Sequence, residues 1–151
     1  MKYNFCRNVK SFIIYWLPPF AWMAFLFPTN DTLTTSSTSH IIVPVIKWFL
    51  PAASQDTVEI FHILIRKVVH FCEYAFLAFL LFRAFRGKNK DWHLKWTVYA
   101  GLITIGYASL DEFFQTFIPS RTGSVYDWII DSAGAVFALG IIYIKVKKVK
   151  G

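Results

Sequence analysis

The sequence predicts an all-α fold, an integral membrane bundle of four transmembrane helices, and three observations predict it. Of 151 residues, 56% are hydrophobic, 19% aromatic and only 17% charged; the mean hydropathy is +0.45, a composition typical of lipid-embedded chains rather than soluble domains. The apolar residues gather into four stretches of spanning length, because a bilayer core of ~30 Å needs about 20 residues of helix. The basic residues fall in alternate connections between those stretches. Seven Gly, six Pro and no repeat along the chain exclude disorder, collagen-like repeats and coiled coils.

The first span is expected at 11–28, SFIIYWLPPFAWMAFLFP. Lys2, Arg7 and Lys10 precede it as they would in a secretory signal, but Phe27-Pro28-Thr29-Asn30 follows where a small-x-small cleavage site would stand, so an uncleaved span is expected. Pro18-Pro19 should kink it or break it into two short pieces. The outer connection, 29–67, opens with a polar Ser/Thr-rich linker, TNDTLTTSSTSH. Residues 41–50, IIVPVIKWFL, are too short to span and carry Trp48 and Pro44, so they are expected either to lie in the outer interface, where a helix is one option, or to re-enter slightly. Asp56 and Glu59 read as a helix start, and Val58, Phe61, Leu64 and Ile65 lead without a breaker into the second span at 68–85, VVHFCEYAFLAFLLFRAF. The third span is expected at 96–118 and the fourth at 128–144, both apolar nearly all round as lipid-exposed spans are.

The net charge of +7 sorts by side. With the N-terminus cytoplasmic, the inner segments hold Lys2, Arg7, Lys10, Arg83, Arg86, Lys88, Lys90, Lys95, Lys145, Lys147, Lys148 and Lys150, whereas only Lys47, Arg66, Lys67 and Arg121 fall outside. The positive-inside rule therefore predicts a multi-pass protein of the cytoplasmic membrane with both termini in the cytoplasm. Of the acids, Asp91 alone falls inside. The KVKKVK run at 145–150 reads as an anchor on anionic lipids rather than a nucleic-acid site. Cys6 and Cys72 are expected at opposite faces, so no disulfide is expected between them.

Polar residues inside the spans carry the functional expectation. His70, Glu73 and Tyr74 are spaced i, i+3, i+4 and share a face near the outer end of the second span. Asp111, Glu112 and Gln115 occupy the outer end of the third. Asp127 and Asp131 begin a stripe on the fourth that continues as Gly134 and Ala138, where a neighbouring helix can approach closely. Charged groups at membrane depth cost a few kcal/mol each (roughly, on insertion scales), so they normally face a bundle interior or a wet cavity and mark function.

Three blocks, Lys67-Val-Val-His70-Phe-Cys-Glu73-Tyr74, then Asp111-Glu112-Phe-Phe-Gln115-Thr-Phe-Ile-Pro119-Ser-Arg121-Thr-Gly123-Ser-Val-Tyr-Asp127, then Ile-Ile-Asp131-Ser-Ala-Gly134, closely resemble the VanZ-like family of small polytopic membrane proteins. Many members have Gly after the Pro and Asn at the position of Asp131, where this chain has Ser120 and an acid. The resemblance implies a role in the cell envelope, of the kind seen in low-level resistance to the glycopeptide teicoplanin, which acts outside the membrane on peptidoglycan precursors.

Three mechanisms remain open at this level. In the first, the site binds or remodels an envelope lipid or lipid-linked precursor, with Arg121 and Lys67 holding phosphate or carboxylate groups and Tyr74, Gln115, Asp127 and Asp131 helping to bind it. In the second, an enzyme uses His70, Glu73, Asp111 or Glu112 as catalytic acid and base. No cofactor is expected, although His70 and Glu73 with acids from two other helices match the ligand count of a divalent zinc or magnesium site. In the third, the polar residues are interhelical glue and the chain supports a protein partner.

Overall fold

A computed structural model describes residues 2–27, 35–89, 91–117 and 124–150. Among them all regular structure is helical, in five helices: α1 (Lys2–Leu26), α2 (Thr35–Phe49), α3 (Gln55–Arg86), α4 (Leu94–Gln115) and α5 (Val125–Lys150). α3 and α5 are long and apolar enough to cross a membrane. α4 has the length, but its Trp, Tyr and Gly residues and the Asp111–Glu112 pair lower its hydropathy.

Both boundaries of α3 have a local cause. Ser54 caps α3, accepting a hydrogen bond from the backbone N–H of Thr57, and Asp56 places negative charge in the first turn. At the other end Arg83 and Arg86 occupy the last turn and Gly87 closes the helix at φ +55°, a backbone conformation that glycine adopts at least cost. Asp127 lies in the first turn of α5 rather than in the preceding loop.

Two local expectations are corrected. α1 is one helix through Pro18 and Pro19, not two pieces. Each proline removes one backbone donor, but breaking the helix would leave several more backbone groups unpaired than the two prolines do. α2 begins at Thr35, so the end of the Ser/Thr-rich segment joins the short helix instead of remaining linker.

α3 is the organising element. It packs most extensively on α5, and also against α4, α1 and α2, while α4 and α5 pack on each other. The tightest approach is at Gly134, where a Cβ would lie 2.2 Å from the carbonyl oxygen of Phe71. Only a residue without a side chain lets the two backbones meet there. Toward the basic ends of the helices the core is apolar, formed by Leu77, Ala78, Leu81 and Phe82 of α3, Trp96 and Ala100 of α4, and Ala135 and Leu139 of α5. α1 is tied on by polar bonds as well as by packing: the Trp22 indole donates to the Glu73 carbonyl at 3.1 Å, and the Tyr107 hydroxyl donates to the Met23 carbonyl at 2.5 Å.

Candidate functional site

The Gly134–Phe71 crossing sets the site. One turn before Gly134 on α5 stands Asp131, and next to Phe71 on α3 stands His70, so the close approach of the backbones brings their side chains face to face. His70 Nδ1 lies 3.6 Å from Asp131 Oδ1. Asp131 is completely buried, and neither of its carboxylate oxygens has a hydrogen-bond donor in reach. Such a group is costly unless something pairs with it, and the imidazole is placed to do so.

α4 supplies the second half of this cluster. Tyr74, 1% exposed, donates its hydroxyl to Asp111 Oδ2 at 2.9 Å, and the Gln115 amide donates to the same oxygen at 3.1 Å. Asp111 and Gln115 are four residues apart and present one face of α4 to α3. Asp111 Oδ1 keeps no partner. His70, Asp111 and Asp131 all lie within Coulombic range of one another, as does Glu73 of His70. The Glu73 backbone carbonyl is turned toward α1, where Trp22 binds it.

Above the cluster Lys67 Nζ donates to Asp127 Oδ1 at 2.7 Å, both side chains being about a third exposed (39% and 32%). With Ile63, Arg66, His70 and Ile130 this pair lines a cavity of about 90 Å³. The cavity gives the imidazole an approach from outside the bundle and carries a net excess of basic groups.

Glu112 goes elsewhere. It is one residue from Asp111, about 100° round the helix, and therefore faces the start of α5. Its Oε2 accepts the backbone N–H of Ser124 at 2.6 Å, while Oε1 has no partner although the residue is only 8% exposed. Ser109, Glu112, Phe113 and Thr116 of α4, with Ser124, Val125 and Trp128, line a separate groove of about 350 Å³. Trp128 donates its indole N–H across it to Ser109 Oγ at 2.9 Å.

The structure thus brings His70, Tyr74, Asp111, Gln115 and Asp131 into one cluster, sets Lys67 and Asp127 over it, and separates Glu112. Arg121 lies outside the described residues. Ser109, Ser124 and Trp128 were not legible as site residues; the stripe Ser109, Glu112, Phe113, Thr116 at i, i+3, i+4, i+7 was the signal available in the sequence. Among the described residues no three His, Cys, Asp or Glu side chains stand together as a metal site would require.

No curated protein and no solved structure matches the chain. Residues 12–146 match the family model described as VanZ/LLP1. That match takes in α3, α4, most of α5 and of α1, and the whole polar cluster, and the chain belongs to the VanZ/LLP1 family.

Proposed function

We propose that this chain is a four-span protein of the cytoplasmic membrane, with both termini cytoplasmic, whose outward-facing polar site binds an envelope lipid or lipid-linked peptidoglycan precursor in glycopeptide resistance of the teicoplanin type. α1, α3, α4 and α5 are the spans and α2 the interfacial helix. The observation that carries the reading is the burial of Asp131 against His70 beneath a small cavity rimmed by Lys67, Arg66 and Asp127. A helix bundle held only by apolar contacts would have no use for a fully buried carboxylate whose neighbour is an imidazole 3.6 Å away. A bound headgroup meets the imidazole of His70, which lines the cavity in front of Asp131, and the basic rim receives its phosphate.

The test is binding of radiolabelled lipid-linked precursor to protein purified from wild type, His70→Ala and Asp131→Asn, alongside the teicoplanin tolerance of cells making each at equal membrane abundance. Hydrogen bonds to charged groups are worth about 1.5–3 kcal/mol, so each variant should bind roughly ten- to a hundredfold more weakly. Unchanged binding in both variants would remove this reading.

One observation favours an enzymatic alternative. Asp131 stands behind an imidazole that faces a cavity, the arrangement of a carboxylate orienting a general base. In that case the labelled precursor is released chemically altered by wild type and unaltered by His70→Ala.

A further inference from the structure

The groove between α4 and α5 is separate from the His70 cavity, and its chemistry is one-sided. Most of its hydrogen-bond donors, the Ser124 hydroxyl excepted, are already spent inside the protein. Trp128 Nε1–H goes to Ser109 Oγ, the Ser109 hydroxyl to the Ile105 carbonyl at 3.0 Å, the Thr116 hydroxyl to the Phe113 carbonyl at 2.6 Å, and the Ser124 backbone N–H to Glu112 Oε2. What these groups still offer is lone pairs, chief among them those of Glu112 Oε1, which is buried and has no partner. No cationic side chain is among the lining residues described. The other oxygen, Oε2, accepts the Ser124 backbone N–H just before α5, a hydrogen bond that favours the charged form of this carboxylate. An anionic acceptor among further acceptors calls for a ligand that brings both positive charge and several N–H donors.

The walls say what carries that cation. Phe113 is 56% exposed and Val125 72% exposed on either side of Glu112, with the Trp128 ring beside them. A small soluble amine would leave this apolar surface wet, whereas lipid chains would cover it. The volume, about 350 Å³, lies at the small end of ligand sites and suits a headgroup with the first part of its chains.

Resting on the reading above that the outer end of the protein is a lipid site, we propose that the α4–α5 groove binds a membrane lipid with a primary ammonium headgroup, the ammonium donating to Glu112 Oε1 and the chains lying along Phe113 and Val125. Glu112 is then a ligand-binding group rather than an acid–base catalyst.

Native mass spectrometry of the full chain released from nanodiscs of equimolar phosphatidylethanolamine, phosphatidylcholine and phosphatidylglycerol tests this. Wild type should retain phosphatidylethanolamine preferentially, by roughly tenfold as for a charge-assisted hydrogen bond. Phosphatidylcholine, which has the charge without N–H donors, should be retained less than phosphatidylethanolamine and more than phosphatidylglycerol. Glu112→Gln should erase the preference, and Phe113→Ala should lower retention of all three lipids while leaving the preference in place. The proposal is overturned if wild type shows no preference, if Glu112→Gln keeps it, or if free ethanolamine displaces the lipid at equal concentration, since the chains would then contribute nothing. Precursor binding by the His70→Ala variant is read separately, so loss of the lipid preference with precursor binding intact, or the reverse, identifies which of the two readings has failed.

Discussion

Asp111 and Glu112 are adjacent in the chain and end in two different kinds of place. Asp111 enters a closed cluster in which Tyr74 and Gln115 both donate to one of its oxygens and His70 and Asp131 stand beside it. Glu112 enters an open groove, held by a single backbone N–H. The closed cluster joins three helices through side chain to side chain contacts, so its residues fix architecture and any chemistry together. The groove residues bond to local backbone or across two helix ends, which leaves them free to serve a ligand without holding the bundle. Changes in the first region should therefore cost stability along with any binding, and changes in the second should cost binding alone.

The largest effect should come from Gly134→Val. Its Cβ would fall 2.2 Å from the Phe71 carbonyl oxygen, and because the obstacle is backbone, α3 and α5 must move apart. Overpacking of a rigid contact costs about 1–3 kcal/mol and occasionally more. The variant should melt well below wild type in detergent and lose the His70–Asp131 contact. The α4–α5 groove, which does not depend on that crossing, should keep its lipid selectivity in whatever protein remains folded. Loss of both together would erase the distinction between the regions.

That crossing was legible in the sequence, and the division of Asp111 from Glu112 was not. The stripe Asp127, Asp131, Gly134, Ala138 announced a close approach at helical spacing, and the spacing of His70 with Tyr74 and of Asp111 with Gln115 placed each pair on one face. Which helix each face would meet is a matter of tertiary arrangement. Reading all the acids as one pocket therefore did not distinguish the two faces of α4, about 100° apart, on which Asp111 and Glu112 lie. The start of α3 was visible in Asp56 and Glu59, with Ser54 completing the cap. Whether α1 would kink or break at Pro18-Pro19 was left open, because local rules count the two lost donors and not the further backbone groups that a break would leave unpaired.

A smaller effect is expected from Tyr74→Phe, which sharpens the comparison within the closed cluster. The hydroxyl is removed from a site 1% exposed, while the ring and its packing stay. Asp111 Oδ2 still receives Gln115. Interhelical hydrogen bonds in membrane proteins are worth on average about 0.6 kcal/mol and at most about 1.7, and the buried acceptor left half satisfied places this one toward the upper end. Thermal melts in detergent should show a modest loss, where the matching change in the groove, Ser109→Ala, should show almost none. Equal losses in the two would mean that the groove also carries the fold.

The smallest effect belongs to the Lys67–Asp127 pair, and it tests where the closed region ends. The contact is short, 2.7 Å, and it joins α3 to α5 as the His70–Asp131 contact does, which taken alone would make it part of the architecture. Its exposure argues otherwise. With the side chains 39% and 32% exposed, the charges keep much of their solvation apart, so pairing them gains little. A double-mutant cycle with Lys67→Met and Asp127→Asn should return a coupling of about 0.2–1 kcal/mol, shrinking as salt is added. A coupling of several kcal/mol, insensitive to salt, would place the pair in the dry interior and extend the closed region to the rim of the cavity. A weak coupling leaves Lys67 free to exchange Asp127 for a phosphate, as a residue at the entrance of a lipid site must.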